Sequence, residues 1–374
     1  MNNELTPKSF IKNSIFFIVL IGITFFILFK DNNLNDIIVE FKNSDKIYVL
    51  IGITCTFIYV ICETINFRTI LKFFSYKKSF LSILKYPFIG FFFSSITPSA
   101  SGGQPMQIYY MSKDNIEVSH GSLAIFIEFA SFQFVTILLA IFSFIFNFEL
   151  VKTFNPLIIT LIIGGIIFNF LILLFILCVI FSKKFTEKIA NFIFWIVKKI
   201  RFIKIDSLKE KFYEQVEEYQ RGAVFIRQHK EIMIKVIFTT FIQVCALYSI
   251  TFWVYRALGF SKASFVEIMS LQAVLYVAVS GIPLPGAVGA SESSFLRIFK
   301  TIYPASVLSS AMLLSRGISF YLFVLISGIV VMCTQVILSK NKKALMWKNL
   351  QVIYHCRNAL CMTLSKKIIK FNFK

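Results

Sequence analysis

The sequence has few of the side chains that build metal and redox sites. It contains three histidines and seven cysteines, and the cysteines form no CxxC pair and stand at no ligand spacing from a histidine. Five of the cysteines lie in apolar runs, where cysteine packs as a small hydrophobe. We therefore predict neither a disulfide nor a metal site.

Sequence features of soluble catalysis are also missing. There is no Walker A sequence to bind the phosphates of ATP. No run of alternating strand and helix patterns is long enough for a soluble acyltransferase domain. These absences predict no cofactor, no direct use of ATP and no direct binding of nucleic acid. They favour a chain without an enzymatic activity of its own.

Apolar residues dominate the chain instead. They make up 57% of it, the mean hydropathy is +0.76, and several apolar runs approach or exceed the roughly 20 residues that span a bilayer. We predict a multi-pass protein of a bacterial cell membrane, and we interpret the first run as a retained span rather than a signal peptide. The runs lie at 14–29, 47–67, 80–96, 122–146, 157–181, 232–257, 264–284 and 307–338.

Lysine and arginine are concentrated in three segments between or after these runs. The net charge is +5 in 68–86, +6 in 182–230 and +9 in 339–374. Cytoplasmic loops carry the lysine and arginine excess of membrane proteins, so all three segments and the N-terminus are predicted to be cytoplasmic. Three apolar runs separate each consecutive pair of basic segments. One run in each group must therefore return to the face from which it entered.

Two of the runs contain backbone breaks that suit such a return. Segment 80–103 ends in SSITPSASGG, and segment 264–300 contains GIPLPGAVGA. We predict that both form re-entrant helical hairpins that enter from opposite faces, as in transporters built from inverted repeats. The predicted fold is all-α, with about six full spans, two inverted re-entrant hairpins and both termini in the cytoplasm.

Irregular backbone at membrane depth persists only when it is buried in protein or lines a wet cavity. Thr97–Pro105 and Gly281–Gly289 are therefore predicted to face inward, towards each other or a shared cavity. Helices that begin near Gln104 and near Ala290 would present free N–H groups and positive dipole ends, which suits a phosphate or carboxylate. The alternative is that both breaks are packing kinks.

Residue types within the breaks add to this interpretation. Gly102 and Gly103 are expected to supply left-handed torsions and a close backbone approach. Charged residues inside spans are functional candidates. Arg316 could contact a lipid phosphate, or could pair with Glu292 or Glu128, and Glu292 could be a helix cap. The predicted headgroup or anion-binding residues are Thr97, Ser99, Ser101, Gly102, Gly103, Gln104, Gly286, Gly289, Glu292 and Arg316, with Glu128 as a possible intramembrane partner.

The two breaks also resemble the paired motifs of a known family. TPSASGGQPMQIYY and PLPGAVGASESSF resemble the T-P-S-x-x-G-G-E-P and P-x-P-G-x-x-G-x-x-E motifs of the lysylphosphatidylglycerol synthetase transmembrane (flippase-like) family. The resemblance spans roughly residues 10–340. One departure is Gln104, which stands where the family commonly has glutamate. The matching residues are Thr97, Pro98, Ser99, Gly102, Gly103, Pro105, Pro283, Pro285, Gly286, Gly289 and Glu292.

The resemblance implies a membrane domain that moves a lipid between leaflets. The lipid would be a phospholipid, with lysylphosphatidylglycerol as one candidate, or a polyprenyl-linked lipid. The alternative is a phosphatidylglycerol lysyltransferase that uses lysyl-tRNA and contributes to resistance against cationic antimicrobial peptides. A separate synthase or glycosyltransferase could act as a partner. A third hypothesis is a scaffold that transports nothing.

The segments outside the spans complete the predicted organisation. Residues 182–230 are predicted to form a cytoplasmic pair of amphipathic helices, because aromatic residues and cations are mixed there as in interfacial helices. The basic tail, 339–374, suits an anionic leaflet surface, and the alternative is a solvated tail. The predicted domains are a membrane-embedded domain, 1–338, and the tail, 339–374.

Overall fold

The computed structural model describes residues 39, 42–146, 152, 154–199 and 206–338. Every regular element in these ranges is a helix, and no strand is present among them, as the predicted all-α class requires. The apolar run 14–29 and the tail 339–374 lie outside the described residues. The predicted first span, the position of both termini and the basic tail therefore stay predictions.

Eleven helices, numbered here within the described ranges, form the fold. Along the chain, two groups of membrane helices are separated by a pair of more polar helices. The helices are α1 Lys46–Phe73, α2 Phe80–Ser95, α3 Gly103–Lys113, α4 Val118–Phe146, α5 Pro156–Phe181, α6 Lys183–Lys199, α7 Asp206–Gln228, α8 Lys230–Ala257, α9 Phe265–Ser280, α10 Ala290–Ile298 and α11 Ala305–Leu338.

Five of these helices are long and apolar enough to cross a membrane, namely α1, α4, α5, α8 and α11. They coincide with five of the six predicted full spans, and the sixth is the run outside the described residues. Helices α2 and α9 are apolar but have 16 residues each. At 1.5 Å per residue such a helix is about 24 Å long, which is shorter than the roughly 30 Å hydrocarbon core. Both short helices are those predicted to be re-entrant.

The antiparallel pair α1 and α8 defines two ends of the bundle. At one end the Asp45 N–H donates to the Ala257 carbonyl at 2.8 Å. At the other end the rings of Phe73 and His229 meet with centroids 4.7 Å apart. We call the first the far end and the second the basic end, because the basic segment 68–86 lies at the second.

The first hairpin, α2 to α3, has both its ends at the basic end of the bundle. Asp114, just after α3, accepts a hydrogen bond from the Tyr86 hydroxyl and an ion pair from Lys85. Its carbonyl accepts a hydrogen bond from Lys78 Nζ at 2.7 Å. These contacts tie the start of α2 to the end of α3. The chain therefore returns to the end from which it came.

The second hairpin, α9 to α10, begins and ends at the far end of the bundle. The ring of Tyr303, after α10, lies 5.7 Å from Phe260 and 5.5 Å from Tyr255 between centroids. The Tyr255 hydroxyl accepts a hydrogen bond from the Ala263 N–H, just before α9. The two hairpins thus enter the bundle from opposite ends, and the assignment of these ends to the two membrane faces stays a prediction.

Both breaks have the same backbone design. A proline opens each turn, Pro98 in the first break and Pro285 in the second. The next two residues have positive φ, with 53° at both Ser99 and Ala100, and 58° and 50° at Gly286 and Ala287. The two turns pack against each other. A long helix, a short helix, this turn, a second short helix and a long helix therefore occur twice, in inverted orientation.

Glycine at position 102 does not have the predicted left-handed torsion. Gly102 has φ −86° and Gly103 begins α3, so both are right-handed. The left-handed residues of the first break are Ser99 and Ala100, which carry side chains. Non-glycine residues rarely adopt this region, so the break stores backbone strain.

The predicted helix pair of 182–230 is present as α6 and α7. The rings of Phe192 and Trp195 on α6 are exposed and stack on each other with centroids 6.1 Å apart. Exposed aromatic residues on a helix with lysines are typical of a helix at a membrane surface. The chain also divides into two compact units, Met1–Ser327 and Gly328–Lys374. The described part of the second is the end of α11, and the predicted domain boundary at 338 stays a prediction.

Two adjacent glycines in α5 give a matched test of helix packing. A Cβ at Gly165 would overlap the Val277 carbonyl oxygen in α9, whereas a Cβ at Gly164 would meet nothing within 4 Å. We expect Gly165→Ala to lower the free energy of unfolding by about 1–3 kcal/mol, because α5 and α9 must separate. Gly164→Ala is expected to be neutral or stabilising by up to about 1 kcal/mol. Thermal unfolding in detergent measures both, and equal effects would contradict the observed packing.

Candidate functional site

A cavity of about 570 Å³ lies where the two breaks meet. This volume is within the range of small-molecule sites, about 300–1,000 Å³. Nine of the described helices line it: the eight helices of the two inverted repeats, and α5. The polar groups on its wall include Glu63, Ser94, Ser99, Ser101, Gln104, Gln107, Glu128, Gln133, Asn169, Gln272, Ser280, Ser291, Ser315 and Arg316. The prediction that both breaks face a shared cavity is confirmed.

The first break is held together by Thr97. Its hydroxyl donates to the Phe93 carbonyl at 2.6 Å and accepts the Gly102 N–H at 2.9 Å. A Cβ at Gly103 would overlap Ser94 Oγ and would lie 2.6 Å from the Gly90 carbonyl oxygen. The glycines therefore serve the close approach of α2 and α3, which the sequence predicted. Helix α3 begins at Gly103, one residue before its predicted start.

The helix that follows the second break is capped at its start by a glutamate of the same helix. Helix α10 begins at Ala290, as predicted, after Gly289 with φ 84°. The Gly289 N–H donates to Glu292 Oε2 at 2.6 Å, which is the cap that the sequence left open. A negative charge at this position is favoured by the helix dipole. The expectation of an open anion site at this helix start is therefore not met, because Glu292 occupies it.

Arg316 is paired with the same carboxylate. Its Nε donates to Glu292 Oε1 at 2.8 Å, and its Nη2 donates to the Gly286 carbonyl at 3.2 Å. The Tyr321 hydroxyl donates to the same Glu292 oxygen at 3.0 Å. The Glu292 side chain is 1% exposed and that of Arg316 15%. Of the alternatives that the sequence left open, the pairing of Arg316 with Glu292 is the one observed.

The surroundings of Arg316 keep its guanidinium at the cavity wall. The group lies over the Phe320 ring, 4.2 Å from its centroid. Residues Gly317–Tyr321 form a π-helical turn directly after Arg316. Such turns occur often at functional sites, because they redirect side chains within a helix.

Two buried glutamates also belong to the cavity wall. Glu63 of α1 accepts a hydrogen bond from Gln107 Nε2 of α3 at 3.3 Å. Glu128 of α4 accepts one from Gln243 Nε2 of α8 at 3.5 Å. Glu128 therefore has an amide partner, and it does not pair with Arg316. Sequence reasoning did not place Glu63, Gln107 or Gln243 in the site, because these pairs are 44 and 115 residues apart in the chain.

The predicted site residues divide into two groups. One group lines the cavity, and the other supports the turns behind its wall. The lining residues are Ser99, Ser101, Gly103, Gln104, Gly286, Arg316 and Glu128. The supporting residues are Thr97, Gly102, Gly289 and Glu292, which make the turn and cap contacts described above.

A cluster outside the cavity could hold a metal ion. The ligand atoms of Glu117, His120 and Glu218 all lie within 4.8 Å of one another. His120 also contacts the Tyr76 hydroxyl at 3.1 Å, and Glu218 is paired with Arg221 at 2.6 Å. Burial, with the nearby carboxylates of Glu117 and Glu218, raises the pKa of the Tyr76 phenol above its usual value. This cluster was not predicted from the sequence, because α7 supplies Glu218 from far along the chain.

The fold and the cavity define a class of protein. The chain is an all-helical, multi-pass membrane protein in which two inverted hairpins meet around a polar cavity. It belongs to the family described as the lysylphosphatidylglycerol synthase TM region, whose model matches residues 14–327. The family predicted from the sequence is thereby confirmed.

Similar proteins are found in two archaea. A UPF0104 membrane protein of Pyrococcus horikoshii is 24% identical over 341 residues, which cover 88% of this chain and 98% of that protein. A UPF0104 membrane protein of Archaeoglobus fulgidus is 24% identical over 267 residues, covering 69% of this chain and 77% of the relative. These matches support a membrane protein, and the predicted bacterial source stays a prediction.

Proposed function

We propose that the protein moves a lipid between the leaflets of its membrane by passing the headgroup through the cavity. The observation that carries this proposal is the meeting of the two strained turns at one polar cavity inside an apolar helical bundle. Lipid cannot satisfy free backbone N–H and C=O groups, so such turns need protein or water around them. A polar headgroup has the same need.

The inverted repeats support a transport role for this cavity. In transporters of this design, broken helices from two inverted repeats form the substrate site near the bilayer centre. Here each repeat contributes one turn to the wall, Pro98–Ala100 from the first and Pro285–Ala287 from the second. Rocking of one repeat against the other would open the cavity first towards one leaflet and then towards the other.

The lining suggests the class of lipid. A phospholipid, for example lysylphosphatidylglycerol, or a polyprenyl-linked lipid would place its phosphate near Arg316 and its chains in the surrounding bilayer. The Arg316 charge is partly balanced by Glu292, so the headgroup must compete with that carboxylate. The proposed headgroup contacts are Ser99, Ser101, Gly103, Gln104, Gly286 and Arg316.

The family description also favours a second function, the synthesis of lysylphosphatidylglycerol. In that case the chain would act as a lysyltransferase, alone or with a separate synthase. The test is incubation of the purified full chain with lysyl-tRNA and phosphatidylglycerol vesicles. Lysyl-lipid product from this chain alone would establish the transferase, and we expect none.

A cavity-filling variant tests the transport proposal. The full chain is placed in vesicles that carry a fluorescent phosphatidylglycerol, and an impermeant quencher reports its leaflet. Ser101 lines the cavity and is exposed within it. We expect Ser101→Trp to slow exchange by about tenfold or more, which corresponds to a barrier about 1.4 kcal/mol higher.

The matched control for this variant is Ser306→Trp. Ser306 is exposed at the start of α11 and is not part of the cavity wall. Its exchange rate should equal that of the unchanged protein. An unchanged protein that exchanges lipid no faster than protein-free vesicles would refute the transport proposal.

A further inference from the structure

We propose that Glu63 and Glu128 form a proton-binding site that couples lipid movement to a transmembrane proton gradient. This inference rests on the proposed function, since it supplies the energy source for the same transport. It concerns two residues of the cavity wall that are not among the proposed headgroup contacts. Its ligand is a proton shared by two carboxyl groups.

Both carboxyl groups are buried and both face the cavity. Glu63 is 8% exposed and Glu128 9%, and both belong to the cavity wall. They lie on α1 and α4, which pack against each other, and both carboxyl groups line the same cavity. Among the described residues no lysine, arginine or histidine lies within 4 Å of either one. Buried carboxyl groups at membrane depth without a basic partner are found in proton pathways.

The groups that face this pair carry no compensating charge. Tyr59 of α1 and Tyr276 of α9 line the same cavity as the two carboxyl groups. Gln107 of α3 and Gln243 of α8 donate amide hydrogen bonds. The one cation on the cavity wall within the described part of the chain is Arg316 of α11, and it is paired with Glu292.

This environment favours a single shared proton. Two like charges in an enclosed site of low dielectric repel each other, so a pair of carboxyl groups releases its protons in separate steps. The cavity is polar and large enough to hold water, and such water would give the proton a path. The pair can therefore alternate between one bound proton and none without a second buried cation.

The hydrogen bond of Glu63 links this proton to the first hairpin. Gln107 lies in α3, and its Nε2 donates both to Glu63 and to the Tyr86 carbonyl of α2 at 3.1 Å. The fit is tight, because a Cβ at Gly90 of α2 would overlap this amide group. A bond to an ionised carboxylate is roughly twice as strong as one to a neutral acid. Protonation of Glu63 thus weakens the attachment of the hairpin to α1 and lets it move.

The experiment uses the full chain in vesicles with fluorescent phosphatidylglycerol distributed equally between the leaflets. A pH gradient is imposed, and the leaflet ratio is followed to its steady value. With one proton per lipid, a gradient of about one pH unit is expected to shift the ratio by up to about tenfold. Reversal of the gradient should reverse the shift. A sodium gradient at equal pH should leave the ratio unchanged.

Three variants locate the coupling. Glu63→Gln and Glu128→Gln keep the shape of the side chain and remove the titratable group. In each variant the lipid should therefore stay equally distributed between the leaflets under the gradient. The control is Glu231→Gln, because Glu231 is exposed at the start of α8 and is not part of the cavity wall. This control should shift as the unchanged protein does.

The outcomes separate this inference from the transport proposal. A protein that exchanges lipid at equal pH but shows no shift under the gradient would overturn proton coupling and leave transport standing. A shift retained by both glutamine variants, or a shift driven by sodium alone, would overturn the assignment to Glu63 and Glu128. Absence of exchange at equal pH would instead count against transport itself.

Discussion

Arg316→Ala is expected to destabilise the protein by about 3–5 kcal/mol, because it leaves a buried carboxylate without its cation. The Glu292 side chain is 1% exposed, and its charge is balanced by the Arg316 guanidinium at 2.8 Å. The Gly289 N–H and the Tyr321 hydroxyl also bind this carboxylate, but neither carries a charge to neutralise it. Thermal unfolding of the purified protein in detergent measures the loss.

A second substitution distinguishes the lost ion pair from lost packing. In the Arg316→Ala background, Glu292→Gln removes the stranded charge and should recover a large part of the stability. Arg297→Ala is the matched control, because Arg297 is an exposed arginine on α10 and should change stability by no more than about 0.5 kcal/mol. If Arg316→Ala and Arg297→Ala unfold at the same temperature, Glu292 does not depend on Arg316.

Gly103→Ala is expected to abolish lipid exchange and to cost about 1–3 kcal/mol of stability, because the first hairpin has no room for the added methyl group. A Cβ at this position would meet the Gly90 carbonyl oxygen at 2.6 Å and would overlap Ser94 Oγ. Helices α2 and α3 would have to separate, and both line the cavity. Leaflet exchange and thermal unfolding are measured on the same preparation.

Gly317→Ala is the control for this second prediction. A Cβ at Gly317 would meet nothing within 4 Å, and Gly317 is not part of the cavity wall. We expect it to exchange lipid at the normal rate. Normal exchange by Gly103→Ala would show that the close approach of the two helices is unnecessary for transport.

The strained turns explain why these positions tolerate little change. Ser99, Ala100 and Ala287 hold positive φ although they carry side chains, and each such residue costs about 1–3 kcal/mol. Neighbouring contacts must hold them in place. The Thr97 hydroxyl does so in the first break, and the Arg316 bond to the Gly286 carbonyl does so in the second.

Much of the fold follows from local sequence signals. Long apolar runs predict the spans within a few residues, because hydrocarbon thickness sets their length. Charge parity predicts that α2 and α9 return, and the Asp114 and Tyr303 contacts confirm that each hairpin closes at one end. Proline and glycine indicate both breaks, because these residues change the backbone torsions that the chain can adopt.

The side-chain partners inside the cavity could not be predicted from such local sequence signals. Glu63 meets Gln107, and Glu128 meets Gln243, only because different helices pack side by side. The sequence left Arg316 with three possible partners, and the turn geometry that selects Glu292 depends on the second break as a whole. In the first break the left-handed torsions lie at Ser99 and Ala100 rather than at Gly102 and Gly103, and the Thr97 hydroxyl closes this turn by accepting the Gly102 N–H.

The proposed transport requires two hairpins that enter from opposite faces of the membrane without crossing it, and thiol labelling tests this directly. Single cysteines replace exposed residues that flank the hairpins in a cysteine-free background: Lys77 and Lys113 for the first, Lys262 and Ser306 for the second. An impermeant thiol reagent should modify Lys77→Cys and Lys113→Cys from one side of the membrane, and Lys262→Cys and Ser306→Cys from the other. Labelling of positions 77 and 113 from opposite sides would make the first hairpin a full crossing and would contradict the inverted architecture.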